Sequence, residues 1–272
     1  MTTSAVPGLL PASLHRVRLE IIQFTKEKEA LFFLVAFPPV MLLLFGAIFG
    51  SQKIGPDGNQ ITFAQYFVAG MIGTGIWGAC FQNLGISVPL ERDSGSLKRL
   101  SATPMPLSAY FFGKIGLVFL LSLLETATLL LMGVLFYHVH IPPASHWLTF
   151  AWVFALGSAA CTLFGIALSG LIRNARVASS IVSPIAIILQ FVSGVYFVFS
   201  QLPTGLQLVG SVFPLRWLTL GMRSVFLPEN YRFAEPGHGW QHGTTAIVLG
   251  VWCVVGLIIA RRTFSWMPER TT

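Results

Sequence analysis

Six apolar runs, each close to the length that crosses a bilayer and each bounded by a short polar island, constrain this chain more than anything else in it. They extend from about Ala30 to Phe49, Tyr66 to Val88, Ala109 to Phe136, Trp147 to Ile172, Ala178 to Phe199 and Thr244 to Ala260. A spanning helix needs about 20 consecutive apolar residues. Because hydrocarbon offers no water to the backbone, each run must satisfy its own N–H and C=O groups, which selects helices. The chain is 54% hydrophobic and only 10% charged, against about 25% charged residues in a soluble domain. The expected fold class is therefore an all-α integral membrane protein with six transmembrane helices, laid out as a tail and interfacial helix over residues 1–29, a transmembrane domain over 30–260 and a second tail over 261–272.

Ahead of the first run, Leu14, Val17, Ile21 and Phe24 recur at helical spacing among Arg16, Arg18, Lys26 and Lys28. That pattern predicts an amphipathic helix lying along the membrane surface. Pro38-Pro39 in the first run predicts a kink facing the bundle, and Gly70, Gly73, Gly75 and Gly78 in the second suit close helix packing. The three cysteines, Cys80, Cys161 and Cys253, lie far apart in apolar runs and read as free buried thiols. No short basic-then-apolar leader with a small-residue cleavage site opens the chain.

Residues 201–227 are apolar enough to enter a membrane, but Pro203, Pro214, Arg216 and Arg223 break them up. A re-entrant pair of short helices is expected there, with Arg216 and Arg223 meeting lipid headgroups or an acidic substrate. Twelve basic residues fall on the N-terminal side of the membrane, within 16–28, 92–99, 173–176 and 261–270, and four on the other, Lys53, Arg216, Arg223 and Arg232. Lys114 starts the third run, where it can snorkel. The excess of positive charge places both termini in the cytoplasm.

The most informative island is ERDSGSLKRLSATP, Glu91 to Pro104. Leu97 and Leu100 give it a small apolar face, while Glu91, Arg92, Asp93, Lys98 and Arg99 are expected to stay in water. Thr103-Pro104 ends it. An ordinary surface turn would share this charge pattern, but a charged helix between two spanning helices is also well placed to meet a soluble partner.

The island resembles the coupling-helix segment of type-2 ABC exporter permeases, in which an acidic residue, a Gly-Thr or Gly-Ser pair and a closing Ala-Thr-Pro recur. Here these are Glu91, Gly95-Ser96 and Ala102-Thr103-Pro104, with Ser96 and Lys98 as departures from the commoner Thr and acid. Residues 201–227 are similar to the external hairpin of the same family, through Ser193-Gly194, Leu202-Pro203, Pro214 and Arg223. The resemblance implies an exporter permease of the inner (plasma) membrane, closest to small daunorubicin-exporter-like drug-resistance permeases. It implies two cytoplasmic ATPase subunits that carry the ATP and Mg, a second permease chain in a homodimer, and contact with membrane lipids. Glu91, Arg92, Asp93, Gly95, Ser96, Leu97, Leu100, Thr103 and Pro104 would then meet the ATPase, and drugs, lipids or other amphipathic compounds would cross.

Glu125 is the only acidic residue deep in an apolar run, where an ionised carboxylate is costly unless paired or hydrated. Substrate contact, proton coupling and a hydrogen bond to a neighbouring helix are all open to it. His138 and His140 could bind metal or belong to a solvated loop. The chain needs no cofactor by its motifs: Gly113-Lys114 is followed by Ile115 and lacks the earlier glycine of a phosphate-binding loop. A lipid-modifying membrane enzyme, using Glu125 and the histidine loop, and a passive channel are the alternative classes. Nucleic acid is not expected as a partner, since the basic residues are dispersed among loops.

Overall fold

In the computed structural model, which describes residues 9–55, 60–103, 106–139, 141–172 and 174–263, the apolar runs fold as helices and the islands as the joints between them. The order is α1 (Leu9–Lys26), α2 (Lys28–Phe49), a two-residue-per-strand hairpin β1 (Lys53–Ile54) and β2 (Ile61–Thr62), α3 (Phe63–Trp77), α4 (Asn83–Asp93), α5 (Ser96–Ser101), α6 (Leu107–Tyr137), α7 (Ala144–Leu171), α8 (Ala178–Val192), α9 (Thr204–Val212), α10 (Pro214–Phe226) and α11 (His242–Thr263). The two strands pair antiparallel, Lys53 opposite Thr62. Among the described residues, five stretches are long and apolar enough to cross a membrane: Leu31–Phe49, Ser108–Tyr137, Ala144–Leu171, Ala175–Val192 and His242–Thr263.

The second apolar run takes a different form. Thr62 starts it with a reciprocal cap: its hydroxyl accepts from the Gln65 N–H at 3.3 Å and the Gln65 side chain accepts from the Thr62 N–H at 3.2 Å. Two otherwise orphaned donors are thereby satisfied. From there α3 passes into a π-helical turn, Gly78–Gln82, and then into α4, so the chain stays helical from Phe63 to Asp93. A π turn accommodates one extra residue in a helix. All but Gln65 of α3 is buried, so this helix forms the centre of the bundle.

Around it, missing side chains set the distances. A Cβ on Gly73 would come within 2.8 Å of Thr219 in α10, one on Gly75 within 2.6 Å of Glu125 in α6, and one on Gly70 within 3.3 Å of Arg223. Gly157 of α7 and Gly221 of α10 receive Leu218 and Val153 in the same way. All thirteen residues of α10 are buried as a result. Fully buried Trp77, Phe67, Phe81, Met71 and Ile72 fill the space between these contacts. The outer faces of α2, α7 and α11 keep large apolar residues exposed, including Phe33, Leu148 and Ile247, as lipid-facing helices do.

Two expectations are corrected by the fold. The fifth run does not stay helical to Phe199: α8 stops at Val192 and the chain turns through Gly194 at φ +73°, a left-handed conformation that glycine adopts without strain. The island Glu91–Pro104 is not one helix, because Glu91, Arg92 and Asp93 end α4 and only Ser96–Ser101 form α5. The amphipathic α1 also carries a charged pair into the bundle. Arg16 and Glu20 are its buried residues, while Leu14 is exposed.

The π turn is fixed by Gly165 of α7, where a Cβ would meet the backbone oxygens of Phe81 at 2.7 Å and Cys80 at 3.1 Å. Backbone cannot move aside cheaply, so Gly165→Ala is expected to lower unfolding stability by about 1–3 kcal/mol. Thermal unfolding in detergent would measure this against Gly205→Ala, whose Cβ meets nothing within 4 Å and which should be neutral or slightly stabilising.

Candidate functional site

The charged joint begins where α4 ends. Ser94 closes its last turn, donating its N–H to Leu90 O at 3.0 Å, and Gly95 follows at φ +72°, the usual left-handed exit from a helix. Because Gly95 also precedes α5, the reversal brings Leu97 into the bundle, fully buried, and leaves Lys98 and Arg99 exposed. The end of α4 is anchored on the opposite side as well. Arg92 donates to Ile172 O, and Asp93 accepts the Ala175 N–H at 2.8 Å, so these two neighbours at the end of α4 hold the turn between α7 and α8.

Glu91 points inward. Lys114 of α6 donates to Glu91 and, at 2.7 Å, to Glu20 of α1, and Arg16 pairs with the same Glu20. The Tyr110 hydroxyl donates to the other Glu91 oxygen at 3.0 Å. Two cations thus face two carboxylates with side chains that are 3–6% exposed, apart from Glu91 at 22%. The close approach of α1 to α6 depends on Gly113 and Gly116, where a Cβ would collide with Arg16 and Val17 at 2.3 and 2.5 Å.

This geometry overturns two sequence expectations. Lys114 does not snorkel but is buried, because two carboxylates reach it within the protein. Glu91 and Arg92 do not stay in water either, since each has a protein partner that replaces it. Ser96 bonds Ser94 at 2.9 Å, Arg99 donates to Ser94 O at 3.2 Å, Leu100 is half-buried and Thr103 donates back to Leu100 O at 2.6 Å. Pro104 lies outside the described residues, as do His140 and Arg173.

At the opposite end of the bundle is a second buried charge cluster. Arg216 donates to Glu235 at 2.7 Å, and Arg223 lies 3.7 Å from the other Glu235 oxygen while donating to Gly194 O at 2.5 Å. Each guanidinium also covers an aromatic ring, Arg216 that of Phe199 at 3.7 Å and Arg223 that of Tyr66 at 3.8 Å. Arg216 and Arg223 were expected at headgroups or an acidic substrate; both are buried, because Glu235 folds back from the loop to meet them. Burial alone would raise the Glu235 carboxyl, but the two guanidiniums outweigh it and hold the group below its ordinary 4.5. Pro203 starts α9 and Pro214 occupies the first turn of α10, where a missing N–H costs nothing. Ser193, fully buried, precedes the Gly194 turn.

Glu125 stands apart from both clusters, 1% exposed in α6, with neither carboxyl oxygen bonded among the described residues. The expected hydrogen bond to a neighbouring helix is not among its contacts. Nor do the histidines join it: His138 caps α6 in a left-handed conformation and His146 meets Val225 O at 3.1 Å. Among the described residues, no group of three or more His, Cys, Asp or Glu could hold a metal ion.

The sequence profile of the ABC-2 family transporter proteins matches residues 51–262. The chain belongs to this family. A relative in Cyanophora paradoxa named transport permease ycf38 is 22% identical over 254 residues, covering 90% of this chain and 86% of the relative. As a family member with several membrane-length helices, the chain is a multi-pass membrane protein of the permease type.

Within this permease, Arg16, Glu20, Lys114, Tyr110 and Glu235 escaped the sequence reading. A signal was available for three of them. Lys114 interrupts an apolar run as Glu125 does, and Arg16 and Glu20 are one helical turn apart, so a buried pair could have been considered. Glu235 had none, since loop carboxylates are ordinarily wet.

Removing one partner from a buried pair leaves the other uncompensated. Lys114→Met is therefore expected to lower stability by about 3–5 kcal/mol, with part of the loss recovered when Glu20→Gln is added; a denaturant double-mutant cycle measures the coupling. At the other end, Glu235 has a lowered folded-state value, so its contribution is complete above 4.5 and is lost as pH falls through that lowered value. Thermal unfolding followed from about pH 7 to about pH 3 should show a loss that Glu235→Gln, already destabilised at neutral pH, lacks.

Proposed function

We propose that this chain is the membrane subunit of an ATP-driven exporter and that α5 with the end of α4 is the surface on which a cytoplasmic ABC ATPase acts. The observation that carries the reading is the joint itself: an exposed basic face, Lys98 and Arg99, continuous through Glu91 with Lys114 on α6 and Glu20 on α1. A push on α5 is delivered to two long helices through bonds that a bilayer cannot replace with water. The chain itself has no phosphate-binding loop, so ATP and Mg belong to the partner.

In this reading the rod Phe63–Asp93 is a sixth span, α9 and α10 form a re-entrant hairpin on the outer side, and both termini lie in the cytoplasm. The excess of Lys and Arg in the segments that this orientation puts inside, Arg16, Arg18, Lys26, Lys98, Arg99, Arg261 and Arg262 among them, supports it. Two copies of the chain with two ATPases, in the inner (plasma) membrane, make up the exporter. Drugs, lipids or other amphipathic compounds are its cargo, as in the daunorubicin-exporter-like permeases the sequence resembles.

Purification of the chain from its native membrane in mild detergent should bring down a P-loop ATPase in stoichiometric amount; its reproducible absence from an intact, folded chain would refute the reading. Glu91→Gln and Gly95→Val, the latter forced into a φ that branched residues resist, are expected to reduce ATP-driven transport by about tenfold or more while the chain stays inserted. Unchanged transport in both would remove α5 from the coupling path.

A further inference from the structure

The seam between α3 and α6 holds a carboxyl that nothing in the fold uses. Glu125 is near the middle of α6 and packs flat on the backbone of α3, so that a Cβ on Gly75 would meet its Cδ at 2.6 Å and its Oε2 at 2.9 Å. Neither oxygen has a hydrogen-bond partner among the described residues. On the same face of α6, Leu121, Ser122 and Leu129 are buried, and Met71, Ile72 and Ala79 are buried on the facing side. The walls are thus apolar except for Ser122, whose hydroxyl meets Cys80 at 3.6 Å, and the buried, unpartnered hydroxyls of Thr74 and Thr126, beside Gly75 and Glu125 in sequence.

No charge on the surrounding helices compensates this carboxyl. Residues 63–82 contain no ionisable side chain other than Tyr66 and Cys80, and α7 contributes only His146 at its far end with Cys161. In α2 the charges are Lys28 and Glu29 at its start, and Lys114 of α6 is already held by Glu20 and Glu91. A packing role is better filled by leucine or glutamine, because an unpaired buried carboxyl carries a desolvation cost with no return. The carboxyl is instead placed for a state in which the seam is open. The means of opening is adjacent: the π turn begins at Gly78, and Gly75 gives no side chain to interlock the two helices.

We propose that the α3–α6 seam is a binding site for a hydrophobic monovalent cation, a protonated amine on an apolar body, with Glu125 as its counter-ion and Gly75 as the wall that yields. This rests on the exporter reading for its purpose, but the binding itself does not require it. A single carboxylate among apolar walls matches a cation whose remaining surface is apolar, whereas a divalent metal would need more oxygen ligands than the seam offers. The seam then supplies an occupied and an empty state that α5 can favour in turn.

The test uses the full chain, purified with whatever accompanies it and placed in lipid nanodiscs, and two fluorescent probes of nearly equal size. Dansylcadaverine carries a primary ammonium; its N-acetyl derivative is neutral. The wild-type chain is expected to bind the ammonium probe about tenfold more tightly than the acetylated one. Glu125→Gln should bring the two within about twofold of each other, and Glu125→Asp, which keeps the charge, should retain a preference. Glu125→Leu provides the same comparison should the Gln variant fold poorly. A preference that survives in the Gln and Leu variants, or its lack in the wild type, overturns the site. Charge preference without a co-purifying ATPase would keep the site and remove the exporter reading, and an ATPase without charge preference would do the reverse.

Discussion

Everything else in this bundle depends on one electrostatic constraint: a charge taken out of water must find its compensation inside the protein. The chain meets that constraint at two places. At the α5 end two cations and two carboxylates balance, Arg16 and Lys114 against Glu20 and Glu91. At the other end two arginines share Glu235, and the excess positive charge is spread over the rings of Phe199 and Tyr66 and the Gly194 carbonyl. An arginine over an aromatic face gains about 0.5–2 kcal/mol, enough to make an imperfect ion count tolerable. Between them the Glu125 carboxyl has no partner among the described residues, which makes it the exception the fold has to carry.

The two balanced clusters also decide what moves together. Glu20 belongs to α1, Lys114 to α6 and Glu91 to α4, so one cation joins the interfacial helix, a long spanning helix and the joint before α5. Such a node is specific in direction. Breaking either contact would expose a buried charge, so the three helices shift as a set or the node fails. The second cluster performs the corresponding task for α10, whose Arg216 and Arg223 are tied to the loop residue Glu235 and to the turn after α8. Both ends of the bundle are clamped by charge and its middle is packed through glycines, where the polar contact between α6 and the π turn is the long one of Ser122 with Cys80, 3.6 Å.

Sequence legibility follows the same physics. The apolar runs revealed the helices because backbone self-satisfaction leaves no other option in hydrocarbon. The left-handed turn at Gly95 and the short helices after Pro203 and Pro214 were likewise marked by residue types with one strong backbone preference. What stayed hidden were partnerships. Lys114 reads as a snorkelling residue in any single-helix view, and only the approach of α1 over Gly113 and Gly116 turns it into a buried cation. Arg216 and Arg223 looked like interface anchors because nothing local ties them to a carboxylate in a loop twelve or more residues away. The end of α8 at Val192 was missed for a related reason: hydropathy continues through Phe199, but helical geometry stops at Gly194.

The burial of α3 and α10 carries the argument one step further. A permease has to open a path without exposing unpaired backbone to lipid, and helices at the bundle surface cannot line such a path. Here the two most enclosed helices meet each other and α6 and α7 through Gly73, Gly75, Gly157 and Gly221, contacts made of dispersion alone. Dispersion falls away over a fraction of an ångström, but its loss leaves no orphaned charge or hydrogen bond. The π turn after α3 adds local slack to the same helix. Separation along this glycine-lined core therefore costs less per unit of movement than separation at either charged end, and Glu125, unpartnered among the described residues, lies within it.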